Sequence, residues 1–372
     1  MSLSPHLPVR LGVLLGEQPS PLLLHRAVRT ADPAYPSLGA VGQAGMAALG
    51  LFDPWRREIP GGTGESHLVV LDTPLVLSGT GVVALCDGRV IEDTLDHLGD
   101  ADGAVRDADG RWRLPTQAPG LPGVWLSLLL GGRGNWFHLM LMNLSRIALL
   151  DANEARSIEG ILVPVGLSPN GRRLLERCVA RFCAAFDRPW PRIIELGDGE
   201  AVRPQRLVLP WNVASEVRFH QPSLQFLRGL APAVPARTLR VYVDRRGAAL
   251  RPLRDEDAVA ERLAGAGFLI ARLEEMGFDA QVSLFAEAAL VVAPHGAGLS
   301  NLAFSAPGTR VIELMPHRLT QWCYRRLCAA HGLFYEGVIG EQAPGPPGVA
   351  PFAVLPQQLD WALRLADAGA PR

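Results

Sequence analysis

Residues 291–314 read "VVAPHGAGLSNLAFSAPGTRVIEL": a buried strand, a glycine turn carrying a histidine, a short helix and a second strand. The run Leu290–Pro294 is apolar, Arg310–Leu314 is β-rich with Val311 and Ile312 at its centre, and a short helical stretch lies between them. A strand that passes through a helix into another strand is a βαβ step, and such steps build parallel sheets. His295 ends the first strand, so the residues after it lie at the carboxyl edge of the sheet, where open α/β sheets bind ligands. Gly296 and Gly298 have no Cβ, so a phosphate can approach their backbone amides. The helix starting near Leu299 turns its positive end to the same place. His295 is positioned to donate a hydrogen bond to a phosphate oxygen and, when protonated, to add charge as a nucleotide leaves. The spacing Gly296-x-Gly298-x-x-Asn301 lacks the third glycine of the dinucleotide fingerprint, which disfavours NAD. Glu313, at the end of the next strand, falls where an acid accepts hydrogen bonds from ribose hydroxyls. The same residues also suit a tight turn whose histidine is a satisfied structural group.

Working outward, the pattern around this turn is repeated. From residue 222 the chain reads helix "PSLQFLRGL", strand "LRVYVDR", helix "DEDAVAERLAGAG", strand "FLIARLE", helix "SLFAEA" and strand "LVVAP". An earlier series runs strand "VWLSLLL", helix "NWFHLMLMNLSRIALLD", strand "GILVPVG", helix "NGRRLLERCVARFCAAF" and strand "RIIEL". Two alternating series predict two doubly wound units, meeting near residues 205–220. Before them, residues 66–95 show short β-rich runs separated by Thr-Pro, Gly-Thr-Gly and Asp-Gly, the pattern of a hairpin meander, followed by a polar loop near 99–111. A Pro/Gly-rich stretch at 343–351 leads into an amphipathic helix around 356–367.

The 372 residues are enough for two domains, each burying its own core. A net charge of −1 gives no field that would draw in nucleic acid or an anionic membrane. All 36 basic residues are arginine and asparagine occurs at only six positions, so Asn135 and Asn301 stand out inside motif-like stretches. The five cysteines are scattered, without a disulfide framework or a CxxC metal pattern, and the histidines show no HxH or HExxH spacing. The apolar core of the first 21 residues is too short for a signal peptide, and no run of about 20 apolar residues escapes Pro, Gly or charge. The expectation is a cytoplasmic protein without a transmembrane segment, for which peripheral attachment to a membrane stays open.

The segment "HGAGLSNLAFSAPGTRVIEL" closely resembles the HGAGLxNxxFxxPGxxVIE signature of glycosyltransferase family 61. "VYVDRRGAALRPLRDEDAV" resembles the family's Ser-Arg-Arg segment followed by Asn-Glu-Asp-Glu, and "GNWFHLMLMNLSRIALL" its Asn-Tyr-Tyr-His-Trp helix. The resemblance spans roughly residues 120–320. It implies an α/β fold of GT-B type, with two Rossmann-like domains facing a cleft and an N-terminal β-hairpin region. Residues 1–112 would form that β-rich region, 113–215 the acceptor-side domain, 216–345 the donor-binding domain and 346–372 a C-terminal linker and helix. The implied reaction is inverting transfer of a sugar from a nucleotide donor, UDP-linked by preference, to a carbohydrate acceptor in surface or capsular glycan synthesis. No cofactor or bound metal is implied.

Carried over residue by residue, Arg245 matches an arginine that contacts donor phosphates, with Arg246 beside it. His295, Gly296, Ala297, Gly298, Leu299 and Asn301 match the donor-side turn. An arginine at the end of a strand offers a planar fork for phosphate. Arg251 is a weaker candidate. Inverting transfer needs a group to take the acceptor's proton, and His138 is the nominee, with His295 as the second catalytic residue. Asn135 is expected to cap the helix of His138, Arg146 to hold that helix to the sheet, and Asp255, Glu256 and Asp257 to cap theirs. Three departures stand against the family pattern: Asp244 where serine is usual, Met142 where an acid usually follows His138 by four, and Ser145 for proline. The missing acid keeps open the reading of a catalytically silent glycosyltransferase-like scaffold, and a UDP-sugar epimerase with the same two-domain plan is a second alternative.

Overall fold

The computed structural model describes residues 3–9, 24–32, 43–44, 62–95, 105–109, 111–131, 134–211, 219–319 and 322–368. Parts of the loop expected at 99–111 and of the junction expected at 205–220 lie outside these residues, as does most of the N-terminal stretch. The fold is mixed α/β with two sheets, and the chain divides into two compact units: Met1–Thr30 with Thr63–Phe226, and Ala31–Gly62 with Leu227–Arg372.

The sheet of the first unit contains β1 (Leu3–Val9), β2 (Leu24–Asp32), β3 (Gly62–Asp72), β4 (Leu75–Leu77), β5 (Val82–Ala84), β6 (Arg89–Ile91), β7 (Val105–Arg106) and β8 (Trp112–Pro115). It continues with β9 (Gly120–Ser127), β10 (Gly160–Pro164), β11 (Arg192–Leu196) and β12 (Ala201–Trp211). Strands β4, β5 and β6 pair antiparallel, which is the meander read from Thr-Pro, Gly-Thr-Gly and Asp-Gly. The last four strands run parallel in the order β11-β10-β9-β12. Strand β9 carries one extra residue against β12, since Leu121 pairs with Pro204 and Val124 with Arg206, and Gly123 within this bulge has a φ of 82°, which suits glycine. Helices α1 (Ala152–Ser157) and α2 (Pro169–Phe186) follow β9 and β10, and α3 (Gln221–Arg228) closes the unit. Ser168 caps α2 by accepting the Gly171 N–H, and Leu174, Leu175, Cys178, Val179 and Phe182 form its buried stripe.

Trp125 is the largest fully buried side chain, and its ring leaves no room beside Gly160 on the neighbouring strand. A Cβ there would come within 2.2 Å of the indole. Gly160→Ala is therefore expected to destabilise the first unit by about 1 to 3 kcal/mol through overpacking. The midpoint of its thermal transition should fall by about 2 to 4 °C for each kcal/mol. An unchanged midpoint would remove the steric reading.

One expected helix takes a different form. The stretch read as an α-helix from Asn135 is a π-helical turn, His138–Asn143, followed by a 3-10 turn, Leu144–Leu149. Polar side chains account for the break in the ladder. Ser145 donates back to the Leu141 carbonyl at 2.8 Å, and Asn143 donates to Leu130 at 3.2 Å instead of facing solvent. Asn135 does serve the start of this segment, accepting the Phe137 N–H at 2.9 Å.

The second sheet has the order β14-β13-β15-β16-β17-β18, from β13 (Leu239–Val243), β14 (Leu269–Ala271), β15 (Ala288–Pro294), β16 (Arg310–Pro316), β17 (Phe334–Gln342) and β18 (Phe352–Ala353). All pairs are parallel except β17 with β18. Helices α4 (Glu256–Gly265), α5 (Phe278–Glu287), α6 (Cys323–His331) and α7 (Pro356–Asp367) cover it, with a 3-10 turn, Ala297–Phe304, between β15 and β16. Leu290, Val292, Ile312, Leu314 and Val338 share one core with Leu263 of α4 and Leu359 of α7. By alternation, Val291, Val311, Glu313 and Met315 face the other way. All five cysteines are free.

Candidate donor site at the switch point of the second sheet

In order of appearance, the parallel strands of the second sheet lie 2-1-3-4-5. The chain leaves β13 for β14 on one side and returns to β15 on the other. This reversal opens a crevice at the carboxyl ends of β13 and β15, the position at which doubly wound sheets hold ligands. Asp244, Arg245 and Arg246 follow β13, and His295 and Gly296 follow β15, so the sequence candidates of the second unit converge here.

Arg245 lies across the turn. Its Nη1 donates to the His295 carbonyl at 2.5 Å, and its backbone N–H donates to Glu256 Oε1 at 2.7 Å. A Cβ on Gly296 would come within 2.6 Å of the guanidinium carbon. Gly296 has a φ of 176°, which any residue adopts, so it is glycine because the arginine occupies the space over it. Burial lowers the pKa of the Arg245 guanidinium, and the nearby positive charge of Arg251 lowers it further. Gly298 plays a similar part below the turn, where a Cβ would come within 2.9 Å of Leu273 Cδ1.

His295 is 3% exposed and its Nδ1 lies 2.6 Å from Glu313 Oε1. Glu313 is completely buried, and its other oxygen accepts the Tyr335 hydroxyl at 2.7 Å. The Tyr324 ring covers the imidazole, with centroids 5.2 Å apart. With Nδ1 committed to the carboxylate, any proton that His295 exchanges with a ligand passes through Nε2. Both carboxylate oxygens of Glu313 are engaged with protein, so the acid placed by sequence at a ribose serves here to fix a histidine.

The remaining candidates divide. Asp244 does not orient Arg245. Its carboxylate takes Arg246 instead, through the backbone N–H at 2.8 Å, Nε at 2.8 Å and Nη2 at 2.6 Å, while Arg246 Nη1 reaches Asp257 at 2.6 Å. Arg246 is thus neutralised twice over. Asn301 is fully buried under the turn and donates to Gln281 Oε1 at 2.8 Å. Gln281 in turn ties the turn to the carbonyls of Leu273 and Met276, at 2.8 and 3.1 Å. Leu299 is buried core, and Ala297 is half-buried at the rim. Residues 255–257 do stand at the start of α4, Asp255 at the N-cap position and Glu256 and Asp257 in the first turn, but the Glu256 and Asp257 side chains are engaged otherwise than as caps. Asp255 makes no side-chain cap, Glu256 accepts Tyr242 at 2.8 Å as well as the Arg245 N–H, and Asp257 holds Arg246. Burial raises the pKa of Glu256.

His138 belongs to the first unit. Its Nδ1 lies 3.0 Å from Met142 Sδ, so the i+4 neighbour that would be an acid in the family pattern meets the ring as a thioether. Arg146 holds its segment to the sheet as expected, donating to Pro210 at 2.8 Å and Leu129 at 2.6 Å, the carbonyls where β12 and β9 end. Burial pushes its pKa down to about 10.

Sequence reading missed the tyrosines. The chain has four, and three of them meet this site: Tyr242 on Glu256, Tyr324 on His295 and Tyr335 on Glu313. Their scarcity, like that of asparagine, was the available signal. Among the described residues no group of three or more His, Cys, Asp or Glu is arranged to hold a metal ion, and no helix is long and apolar enough to cross a membrane.

Residues 136–312 match the model of the family described as Glycosyltransferase 61. This segment, which carries both the His138 stretch and the Gly296 turn, belongs to that family, and the protein is a glycosyltransferase. No curated protein matches the chain.

Proposed function

We propose that the enzyme transfers a sugar from a nucleotide donor, UDP-linked by preference, to a carbohydrate acceptor with inversion. The donor binds at the switch point of the second unit. The observation that carries this reading is Arg245 laid over Gly296 beside the carboxylate-held His295. A guanidinium fork and a histidine ring meet at a glycine turn, which suits a departing diphosphate. These groups supply the positive charge that a metal supplies elsewhere, so the reaction is read as metal-independent. The two units act as the halves of a GT-B enzyme, the acceptor side drawing on the first unit with His138 as general base. The setting is cytoplasmic synthesis of surface or capsular glycan.

Calorimetry with UDP and UDP-sugars in excess EDTA tests the reading. Binding should persist, and a ligand at 100 times its Kd should stabilise the fold by about 2.7 kcal/mol in a thermal scan. Loss of binding that magnesium restores would remove the metal-independent mechanism. The silent-scaffold reading has one specific observation in its favour, Met142 against His138. Binding of UDP-sugar with neither transfer nor slow hydrolysis would support it, and conversion of the sugar without an acceptor would support the epimerase.

A further inference from the structure

The loop after β13 carries a second arginine that the donor reading leaves unused. Arg251 Nη1 donates to the Gly348 carbonyl at 2.9 Å, while its Nε is buried without a hydrogen-bond partner. An unpartnered donor on a charged group is costly in a protein interior. Among the described residues, neither Arg245 nor Arg251 is in a salt bridge with a carboxylate. The carboxylate that meets the Arg245 backbone, Glu256, is occupied by that N–H and the Tyr242 hydroxyl, and Glu313 by His295 and Tyr335. Arg245 Nη2 reaches the carbonyl of Leu250, the residue before Arg251, at 3.4 Å, so the Arg245 guanidinium lies against the segment that carries Arg251.

The backbone adds an independent sign. Arg251 has a φ of 51°, in the left-handed region that favours glycine. The strain is held in place from outside the loop: the Arg251 N–H donates to Val349 at 2.9 Å, and the Arg254 N–H to Phe352 at 2.7 Å. A strained backbone thus keeps one cation near another, with a buried N–H left over. An anion between them would relieve the repulsion and use that N–H. Planar forks suit phosphate oxygens.

We propose that Arg251 is the second arm of a two-arginine clamp, with Arg245, that takes the diphosphate of the donor beside Gly296. The proposal rests on the donor reading above and extends it to a residue that reading does not need.

The test is calorimetry on a panel of UDP, GDP, ADP and dTDP, using the tightest binder against wild type, Arg251→Ala, Arg251→Gly and Arg245→Ala. Arg251→Ala should weaken binding about 10- to 150-fold, the range for loss of a charge-assisted bond. Arg251→Gly should lose the same affinity while melting no lower than wild type, since glycine relaxes the left-handed backbone. A merely structural arginine would lower the melting point and leave affinity alone. If Arg245→Ala weakens binding and both Arg251 variants bind as wild type does, the clamp is overturned and the donor site stands. If wild type binds no nucleoside diphosphate, both fall together.

Discussion

Arg245→Ala is expected to bind UDP about 10- to 150-fold more weakly than the native enzyme, with its fold intact, from the loss of a charge-assisted bond of about 1.5 to 3 kcal/mol. The side chain is half-buried and donates to two backbone carbonyls, so its removal exposes acceptors that water can reach. Arg245→Lys should recover only part of the affinity, because a point charge replaces a fork. Gly296→Ala provides a second approach to the same contact. The new methyl would come within 2.6 Å of the guanidinium and push it off the turn, although the backbone accepts alanine. Equal UDP affinity in native protein and Arg245→Ala, by calorimetry, would detach this turn from the donor. His295→Ala should depress turnover more than donor affinity, since its bond gains most as charge builds on the departing diphosphate.

The largest effect on stability is expected at Glu313. Alanine there leaves His295 Nδ1 and the Tyr335 hydroxyl buried without the carboxylate that both face. Stranding the buried His295 Nδ1, and leaving the Tyr335 hydroxyl only the Met315 thioether at 3.3 Å, should destabilise the second unit by about 2 to 5 kcal/mol in urea denaturation. Tyr335→Phe removes one bond and keeps the ring, so about 1 kcal/mol is expected. Glu313→Gln can still accept from one partner and should fall between the two. A native-like urea midpoint in Glu313→Ala would mean that the imidazole is held by something other than this carboxylate.

The strand-turn-strand unit at 291–314 was legible because apolar runs, glycines and a histidine fall at distinct positions in it. Arg146 was legible too: a charge in the middle of an apolar segment has to meet polar partners, and the nearest are strand-end carbonyls. The His295–Glu313 pair was not, because it depends on inter-strand register. Ala293 pairs with Glu313 across β15 and β16, which brings the acid beside a histidine 18 residues earlier in the chain. Tyr335 depends on a further register, Val311 with Tyr335 across β16 and β17. The helical form of 138–149 was hidden for a related reason. Its apolar spacing fits an α-helix, whereas the bonds of Asn143, Ser145 and Arg146 to distant or preceding carbonyls decide the winding.

Arg146 marks a difference between the strand reversals of the two units, each taken by itself. The first unit has its own strand reversal, between β9 and β12, and a buried guanidinium bridges the carbonyls on its two sides. That port is closed by the protein itself, whereas the corresponding position in the second unit is lined by a half-buried arginine on a glycine. In a living cell the two arginines would therefore differ in phenotype when mutated. Loss of Arg146 would lower the amount of enzyme, because chaperones and proteases act on the unfolded fraction. Loss of Arg245 would leave a full complement of protein that transfers little sugar.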